Sequence, residues 1–235
     1  MKILVVGGAG YIGSVCAELL LDQGHGVTIF DNLSEGHRRA LDPRAEFVEG
    51  DLVDRQSIEK TLAKQQPDAV MHFAANALVG ESMQNPSKYF RNNVANGLNL
   101  LDSMISAGVA KIIFSSTCAI FGPPERVPID ETMPPRPINP YGESKLAFEK
   151  ILRWYGEIHG LKLLQCGRRF GEIWRRPSRR NAFDPKCSEG CAWTETKRRD
   201  FWDRLRDAGR HLHPRLHPHP RSCPRPHPRA QRDQE

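Results

Sequence analysis

The sequence predicts an α/β fold built around a doubly wound parallel sheet. Short, nearly uninterrupted apolar segments alternate along the chain with longer segments whose apolar residues have helical spacing. Strands that are apolar along their whole length are typical of parallel sheets, because helices cover both faces of such sheets. A glycine-rich turn also joins the first predicted strand to the first predicted helix, as in doubly wound folds that bind nucleotides.

The individual elements follow from the same patterns. Apolar runs predict strands at residues 2–6, 26–31, 46–51, 69–75, 111–117 and 161–164. Apolar residues three or four positions apart predict helices at residues 11–23, 54–64, 86–107 and 141–159. The pattern stops after Leu164, so a folded domain is predicted over residues 1–164.

Charge is unevenly distributed between the two parts of the chain. Residues 1–165 contain 16 Lys+Arg and 19 Asp+Glu, whereas residues 166–235 contain 18 and 9, so the net charge of +6 comes from the second part. That part has no Val, Met or Tyr, which leaves too little apolar surface to offset the entropy of ordering the chain. We therefore expect residues 165–235 to form a disordered basic tail.

Composition also bears on location and partners. No segment is long and apolar enough to span a membrane, and a strand followed by glycines at the N-terminus is unlike a signal peptide. Cys16 and Cys118 are far apart without disulfide spacing, which suits a reducing compartment, so a cytoplasmic location is expected. The arginines of the tail predict nonspecific attraction to polyanions and no specific nucleic-acid site.

A metal site is the alternative interpretation of the cysteines and histidines in the tail. Their spacing differs from known zinc-binding spacings, so no metal site is expected. The residues concerned are Cys187, Cys191, His211, His213 and His217.

The glycine-rich turn predicts a dinucleotide site. Gly7, Gly10 and Gly13 permit a tight turn and let backbone N–H groups approach a pyrophosphate at the positive end of the helix. Asp31 ends the second strand, where an acid accepts the adenosine ribose hydroxyls and repels the 2′-phosphate of NADP, which favours NAD. A plain tight turn is the alternative interpretation, and the flanking strand and helix argue against it.

Further residues are predicted to contact the dinucleotide from their positions beside the turn or at strand ends. Ordinary packing at strand ends remains an equal alternative for Asp51, Leu52 and the residues after the fourth strand. The set comprises Tyr11, Ile12, Asn32, Asp51, Leu52, Phe73, Ala74, Ala75 and Ser115.

A second motif predicts acid–base chemistry. Tyr141 and Lys145 lie one helical turn apart, and an ammonium beside a phenol lowers the phenol pKa toward a range that is useful for a base. A solvated helix face is the alternative interpretation. Thr117 follows the fifth strand, so it projects from the carboxyl edge of the sheet, where such folds bind ligands.

In combination these motifs resemble the extended short-chain dehydrogenase/reductases and, among them, the UDP-glucose 4-epimerases. The similarity covers residues 1–164 and rests on "GGAGYIGS", "FDNLSEGHRRAL", "GDLVD", "NPSKYFRNNV", "FSSTCAIFG" and "NPYGESKLAFEKIL". The resemblance implies a Rossmann-like domain with bound NAD. Related dehydratases carry an Asp-Glu pair where Cys118 and Ala119 follow Thr117 here, so dehydration is not expected.

The resemblance also implies roles for individual residues. Tyr141 would take the proton of the sugar 4-hydroxyl while a hydride passes to the nicotinamide, and the resulting 4-keto sugar would take the hydride back on its other face. Lys145 would hold the nicotinamide ribose and lower the Tyr141 pKa, Thr117 would bind the reacting hydroxyl, and Asn92 would contact the cofactor. Members of the family commonly dimerise through helices that correspond to residues 86–107 and 141–159.

The resemblance ends at Leu164, where such proteins continue into a smaller domain that binds the UDP-sugar. Codons chosen for residues 201–220 and read one base later give "FGTDYETPDGTCIRDYIHI", which resembles a segment of that domain. We hypothesise a frameshift near Leu164, by deletion or sequencing error, that replaces the substrate domain with the tail. The expected function is 4-epimerisation of a UDP-hexose with poor activity in this chain. The alternatives are a non-catalytic NAD-binding remnant and an epimerase of another UDP-sugar, such as UDP-glucuronate.

Overall fold

The computed structural model describes residues 1–124, 126, 129 and 132–166. The strands are β1 (Lys2–Val6), β2 (Gly26–Asp31), β3 (Glu46–Glu49), β4 (Ala69–His72), β5 (Lys111–Ser115) and β6 (Lys162–Cys166). The α-helices in this part are α1 (Tyr11–Asp22), α2 (Arg55–Gln65), α3 (Val79–Gln84), α4 (Pro86–Phe90), α5 (Asn96–Ser106) and α6 (Pro140–His159).

The strands form one parallel sheet in the order β3-β2-β1-β4-β5-β6. The chain builds outward from β1 to β3 and then returns to place β4 on the other side of β1. This order is the doubly wound arrangement predicted from the sequence, with its switch point between β1 and β4. The ends of these two strands therefore open onto the crevice where such sheets bind ligands.

The main core lies between one face of the sheet and helices α2, α5 and α6. Successive side chains of a strand point to opposite faces, so Leu4 and Phe114 join this core while Val5 and Ile29 are buried on the other face. Helix α1 packs against β1 and β2. Because both faces are covered, the four inner strands are mostly apolar, which is the pattern that predicted the parallel sheet, whereas the edge strand β3 begins and ends with an exposed glutamate.

The connection between β4 and β5 differs from the single helix predicted at residues 86–107. The chain forms α3, which was not predicted, and then α4, a π-helical turn at Arg91–Ala95, and α5. Asn85 begins α4 by accepting a hydrogen bond from the backbone N–H of Lys88. A π-helical turn widens the backbone locally and is frequent at functional sites, and this one carries Asn92 and Asn93.

Helix α6 begins at a well-defined residue, and this fixes the positions of Tyr141 and Lys145, the predicted catalytic pair, along the helix. The side chain of Asn139 accepts a hydrogen bond of 2.8 Å from the backbone N–H of Gly142, and Pro140 occupies the first turn, where its missing N–H costs nothing. The helix ends at Gly160, whose φ of +69° suits glycine. Tyr141 therefore lies in the first turn of α6, and Lys145 lies one turn further.

The last strand extends two residues past the predicted end at Leu164. Gln165 and Cys166 pair with Phe114 and Ser115 of β5 through their backbones. Backbone pairing needs no apolar side chain, so an apolar pattern marks the end of an edge strand poorly.

The predicted tail and its alternative zinc ligands lie outside the described residues. In the part of the chain that the structure describes, no helix has the length and apolar character needed to cross a membrane.

Candidate active site

A cleft opens at the carboxyl edge of the sheet. It lies where β1, β2 and β4 end, which is where doubly wound folds bind ligands. Most of the residues predicted to contact a dinucleotide line it. They are Gly7, Gly10, Asp31, Asn32, Asp51, Leu52, Phe73, Ala74, Ala75 and Asn92.

The three glycines of the turn have different roles. Gly7 has a φ of +80°, and a Cβ there would lie 2.4 Å from the backbone nitrogen of Ala74. A Cβ on Gly13 would lie 2.2 Å from the carbonyl oxygen of Gly7, so the close packing of α1 onto β1 requires glycine. Gly10 lines the cleft, and a Cβ there would meet only the Gly7 oxygen, at 3.5 Å. The protein itself therefore leaves room for a side chain at Gly10. A ligand bound in the cleft would collide with such a side chain.

The N-terminus of α1 provides the positive end of a helix beside the cleft. Gly10 is the residue before the helix and makes no side-chain cap, and the first N–H groups of a helix have no carbonyl partner within it. Tyr11 and Ile12, in the first turn, are 83% and 48% exposed. Their exposed side chains and backbone N–H groups can therefore make the predicted contact with the dinucleotide. Buried Gly13 instead packs against the strand.

The carboxylate of Asp31 connects the end of β2 to the glycine turn. One oxygen accepts a hydrogen bond of 2.9 Å from the backbone N–H of Ala9, and the other accepts one of 2.8 Å from Leu33. Asn32 donates to Asp51 at 2.7 Å, which joins the ends of β2 and β3. These carboxylates give the floor of the cleft a negative charge, and each oxygen retains a second lone pair for a ligand hydroxyl.

Asn93 holds the rear of the cleft together. Its side chain accepts from the backbone N–H of Asn76 at 2.9 Å and donates to the carbonyl of Asn76 at 3.0 Å. It also donates to the hydroxyl of Ser144 at 3.0 Å and accepts from Asn92 at 3.0 Å. The loop after β4, the π-helical turn and α6 are therefore held by one buried amide, and Asn92 is presented to the cleft.

Tyr141, Lys145 and Thr117 meet at the same edge of the sheet. Thr117 follows β5 and makes a hydrogen bond to Tyr141 from its side chain. Lys145 is buried, with 4% of its surface exposed, and its Nζ donates to the carbonyl oxygen of Ser115 at 2.9 Å. The same Nζ lies 4.7 Å from the centre of the Phe114 ring, close enough for a cation–π interaction.

The pKa values at this edge differ from the sequence-based expectation. Lys145 was expected to lower the pKa of Tyr141, but burial raises that pKa, and only the hydrogen bond from Thr117 opposes it. Burial also lowers the pKa of Lys145 to about 7, while the charge of Glu149 raises it. The prediction for Tyr141 was wrong in direction because desolvation of its phenol is the largest influence on its pKa and Lys145 is not among the groups that shift it.

The sequence matches the NAD dependent epimerase/dehydratase family over residues 3–180. The chain belongs to this family. The match includes the glycine turn, Asp31, Thr117 and the Tyr141–Lys145 pair, so the assembled site lies inside the family domain.

Individual relatives and solved structures point to one group within this family. The chain is 49% identical over 164 residues to a UDP-glucose 4-epimerase of Lacticaseibacillus casei, covering 70% of this chain and 50% of the relative. A crystal structure of UDP-glucose 4-epimerase from Brucella ovis in complex with NAD matches with a TM-score of 0.68 and 47% identity, over 70% of this chain and 50% of that one. The Thermotoga maritima UDP-glucose 4-epimerase with UDP-glucose matches with a TM-score of 0.68 and 40% identity, over 70% and 54%.

The chain spans about half the length of the curated relatives it matches. The part matched by the family model, residues 3–180, contains the residues that line the cleft together with Thr117, Tyr141 and Lys145.

Sequence reasoning missed several residues of this family site. Ser34, Glu35, Gly36, Gly50 and Asn76 also line the cleft. Each follows the end of a strand by a few residues, a position that extends the rule already used to select Asp31 and Asp51.

Asn93 and Glu149 were missed for a different reason. Their neighbours in the sequence give no sign of burial, yet they are 3% and 0% exposed. Only the packing of α6 against β5 and the π-helical turn brings them next to the site.

Proposed function

We propose that the protein catalyses NAD-dependent 4-epimerisation of a UDP-hexose, interconverting UDP-glucose and UDP-galactose through a 4-keto sugar. The observation that carries the proposal is the assembly of Tyr141, Thr117 and Lys145 at the same carboxyl edge of the sheet that opens onto the cleft with the glycine turn, although the three residues do not line that cleft. The relatives named above are UDP-glucose 4-epimerases, and two of the structures matched contain NAD or UDP-glucose.

The residues of the cleft fit NAD. The space beside Gly10 and the positive end of α1 suit a pyrophosphate. The carboxylates of Asp31 and Asp51 suit ribose hydroxyls and disfavour an additional 2′-phosphate, which supports NAD over NADP. When bound, NAD supplies a centre that accepts a hydride from the sugar and returns it.

The protein's own residues supply the proton transfer. Because burial raises the pKa of Tyr141, its phenol is protonated at neutral pH unless neighbouring groups stabilise the phenolate. Thr117 donates a hydrogen bond to the Tyr141 oxygen, and protonated Lys145 adds positive charge on the same helix face. Tyr141 then takes the proton from the sugar 4-hydroxyl and later returns it, and Thr117 orients that hydroxyl.

Replacement of Tyr141 tests the proposal. The conversion of UDP-galactose to UDP-glucose by the purified chain should fall by about 10²–10⁴-fold in Tyr141→Phe. Tyr155→Phe is a matched control, because it makes the same change on the same helix, where the Tyr155 hydroxyl bonds Asp102 instead of facing the cleft. NAD content of both variants, measured after denaturation, should equal that of the unmodified chain. Equal turnover in Tyr141→Phe would refute the catalytic role.

A second candidate is a nucleotide-binding remnant that holds NAD without turnover. It is favoured by the extent of the similarity, which covers only about half the length of the relatives. Bound NAD without conversion of any UDP-sugar would support it. A panel of UDP-galactose, UDP-N-acetylgalactosamine and UDP-glucuronate separates the remnant from an epimerase of another UDP-sugar.

We also propose that residues 165–235 are read out of frame. The one-base-shifted reading of residues 201–220 as a segment of the relatives' substrate domain supports this. Sequencing the gene across codons 160–170 tests it, and uninterrupted in-frame DNA with no upstream lesion would refute it.

For the quaternary structure we propose a homodimer formed through α5 and α6. Trp154 and Ile158 are one turn apart on α6 and are 64% and 69% exposed, so this helix presents an apolar stripe to its surroundings. Light scattering of the purified chain should give twice the monomer mass, and Trp154→Glu should reduce it to the monomer mass. A monomer in both cases would refute the dimer.

A further inference from the structure

The end of β5 and the two residues after it are joined to α6 by three successive residues, Ser115, Ser116 and Thr117. Ser115 accepts a hydrogen bond from Lys145 through its carbonyl, and Thr117 bonds Tyr141. Between them, the hydroxyl of Ser116 donates to the carboxylate of Glu149. Two of these three connections involve residues already placed in the reaction, and the third is not accounted for by the proposed mechanism.

Glu149 continues the helix stripe that carries Tyr141 and Lys145. The three residues are four positions apart, so their side chains project from one face of α6 in successive turns. Glu149 is completely buried, and burying a carboxylate is costly unless other groups compensate it. The hydrogen bond from Ser116 and the charge of the neighbouring lysine provide compensation.

We propose that Glu149 is a positioning residue that holds the end of β5 against α6 through Ser116 and places a buried carboxylate one helical turn from Lys145. It touches neither the substrate nor the cofactor and acts through Lys145 and Ser116. The catalytic consequence rests on the proposed function, whereas the coupling between Glu149 and Lys145 does not.

The surroundings of Lys145 explain why a carboxylate is needed there. In the part of the chain described, the ionisable groups that interact with Lys145 are His72 of β4 and Glu149 of α6. Burial and the charge of Lys145 lower the pKa of His72 to about 3, so this histidine is neutral and supplies no negative charge. Phe114 offers only a ring face. Among the described residues, Glu149 therefore supplies the negative charge that opposes the loss of the proton from Lys145, beside the uncharged Ser115 carbonyl and Phe114 ring.

Removing the charge of Glu149 should lower the pKa of Lys145. The pKa of Lys145 is already lowered to about 7 by burial, and Glu149 acts to raise it. Without that charge, Lys145 should lose its proton at a lower pH, so a smaller fraction is protonated at neutral pH. Under the proposed mechanism the Tyr141 phenolate is then less stabilised.

Direct titration of Lys145 tests the proposal without relying on turnover. The full chain is labelled with ¹³C at the lysine ε-carbons, and the signal absent from Lys145→Arg is followed by NMR from pH 5 to 10. In Glu149→Gln the midpoint should fall by about 1 pH unit or more relative to the unmodified chain. Glu143→Gln removes the same charge from an exposed position of α6 and should leave the midpoint unchanged.

A second variant keeps the test decisive if Glu149→Gln does not fold. Glu149→Asp retains the charge but withdraws it by one methylene, so its midpoint should lie between those of the unmodified chain and Glu149→Gln. An unchanged midpoint in a folded Glu149 variant, as judged by its circular dichroism spectrum, overturns the proposal. A shifted midpoint in a chain that shows no epimerase turnover supports the positioning role and refutes only the proposed function.

Discussion

The glycine side of the site, at β1 and β2, and its other side, at β5 and α6, are built on different physical principles. On the side of β1 and β2, the glycine turn and Asp31 depend on close approach of backbone to backbone and on neutral N–H donors. On the side of β5 and α6, the site depends on charged side chains held in a dry environment, with Lys145 and Glu149 almost fully buried. The first side should fail by steric collision at any pH, whereas the second should fail by a change of charge and therefore depend on pH.

A collision on the glycine side should have the largest effect on stability. In Gly13→Ala the new Cβ would lie 2.2 Å from the Gly7 carbonyl oxygen, which is backbone and moves only if the turn moves. We expect the free energy of unfolding to fall by about 3 kcal/mol, measured by urea denaturation, with the same loss at pH 6 and pH 9. Gly80→Ala, where a Cβ meets nothing within 4 Å, is the matched control and should lose no stability. A pH-dependent loss in Gly13→Ala would contradict the comparison.

The titration of Lys145, on the side of β5 and α6, should have the next largest effect on the free energy of unfolding. The pKa of Lys145 is about 7 in the folded chain and its ordinary value is 10.5, so between these values the unfolded chain binds a proton that the folded chain lacks. Stability should therefore rise with pH above 7, by up to about 1.4 kcal/mol per pH unit, and this contribution should vanish below pH 7.

Lys145→Met should remove that contribution, so that the slope of unfolding free energy against pH between 7 and 9 becomes smaller by about 1 kcal/mol per pH unit. Lys150→Met makes the same substitution at an exposed position of α6 and should keep the original slope. Equal slopes in the two variants would show that Lys145 titrates normally.

The smallest loss of stability is expected at Asp31, a carboxylate that is held by backbone N–H donors. Asp31→Asn keeps one oxygen acceptor and loses the other, so either Ala9 or Leu33 loses its hydrogen bond. We expect a loss of about 1–2 kcal/mol in unfolding free energy. The preference for NAD over NADP, measured as a ratio of dissociation constants, should also decrease. The Asp51→Asn variant gives a comparison at the adjacent strand end. An unchanged ratio in Asp31→Asn would mean that other groups select the cofactor.

The sequence could predict the fold because its signals are local. Apolar runs, helical spacing and the glycine turn each depend on neighbouring residues, and they correctly identified the six strands and the helices α1, α2 and α6. The connection at residues 79–106 was predicted less well, because α3 is too short for a periodic signal and a π-helical turn changes the helical period without a distinctive residue pattern.

By itself the sequence determined the parallel sheet, the position of the cleft and the residue types available for chemistry, since these follow from periodicity and from the steric freedom of glycine. Only the tertiary structure decided the charge states. The packing of α6 against β5 buries Lys145 and Tyr141, which lowers the pKa of Lys145 and raises that of Tyr141, whereas spacing alone predicted a lowered pKa for Tyr141. It also brings Glu149 to Ser116 from 33 residues away. Desolvation depends on everything that surrounds a group, and a sequence motif records only the neighbours along the chain.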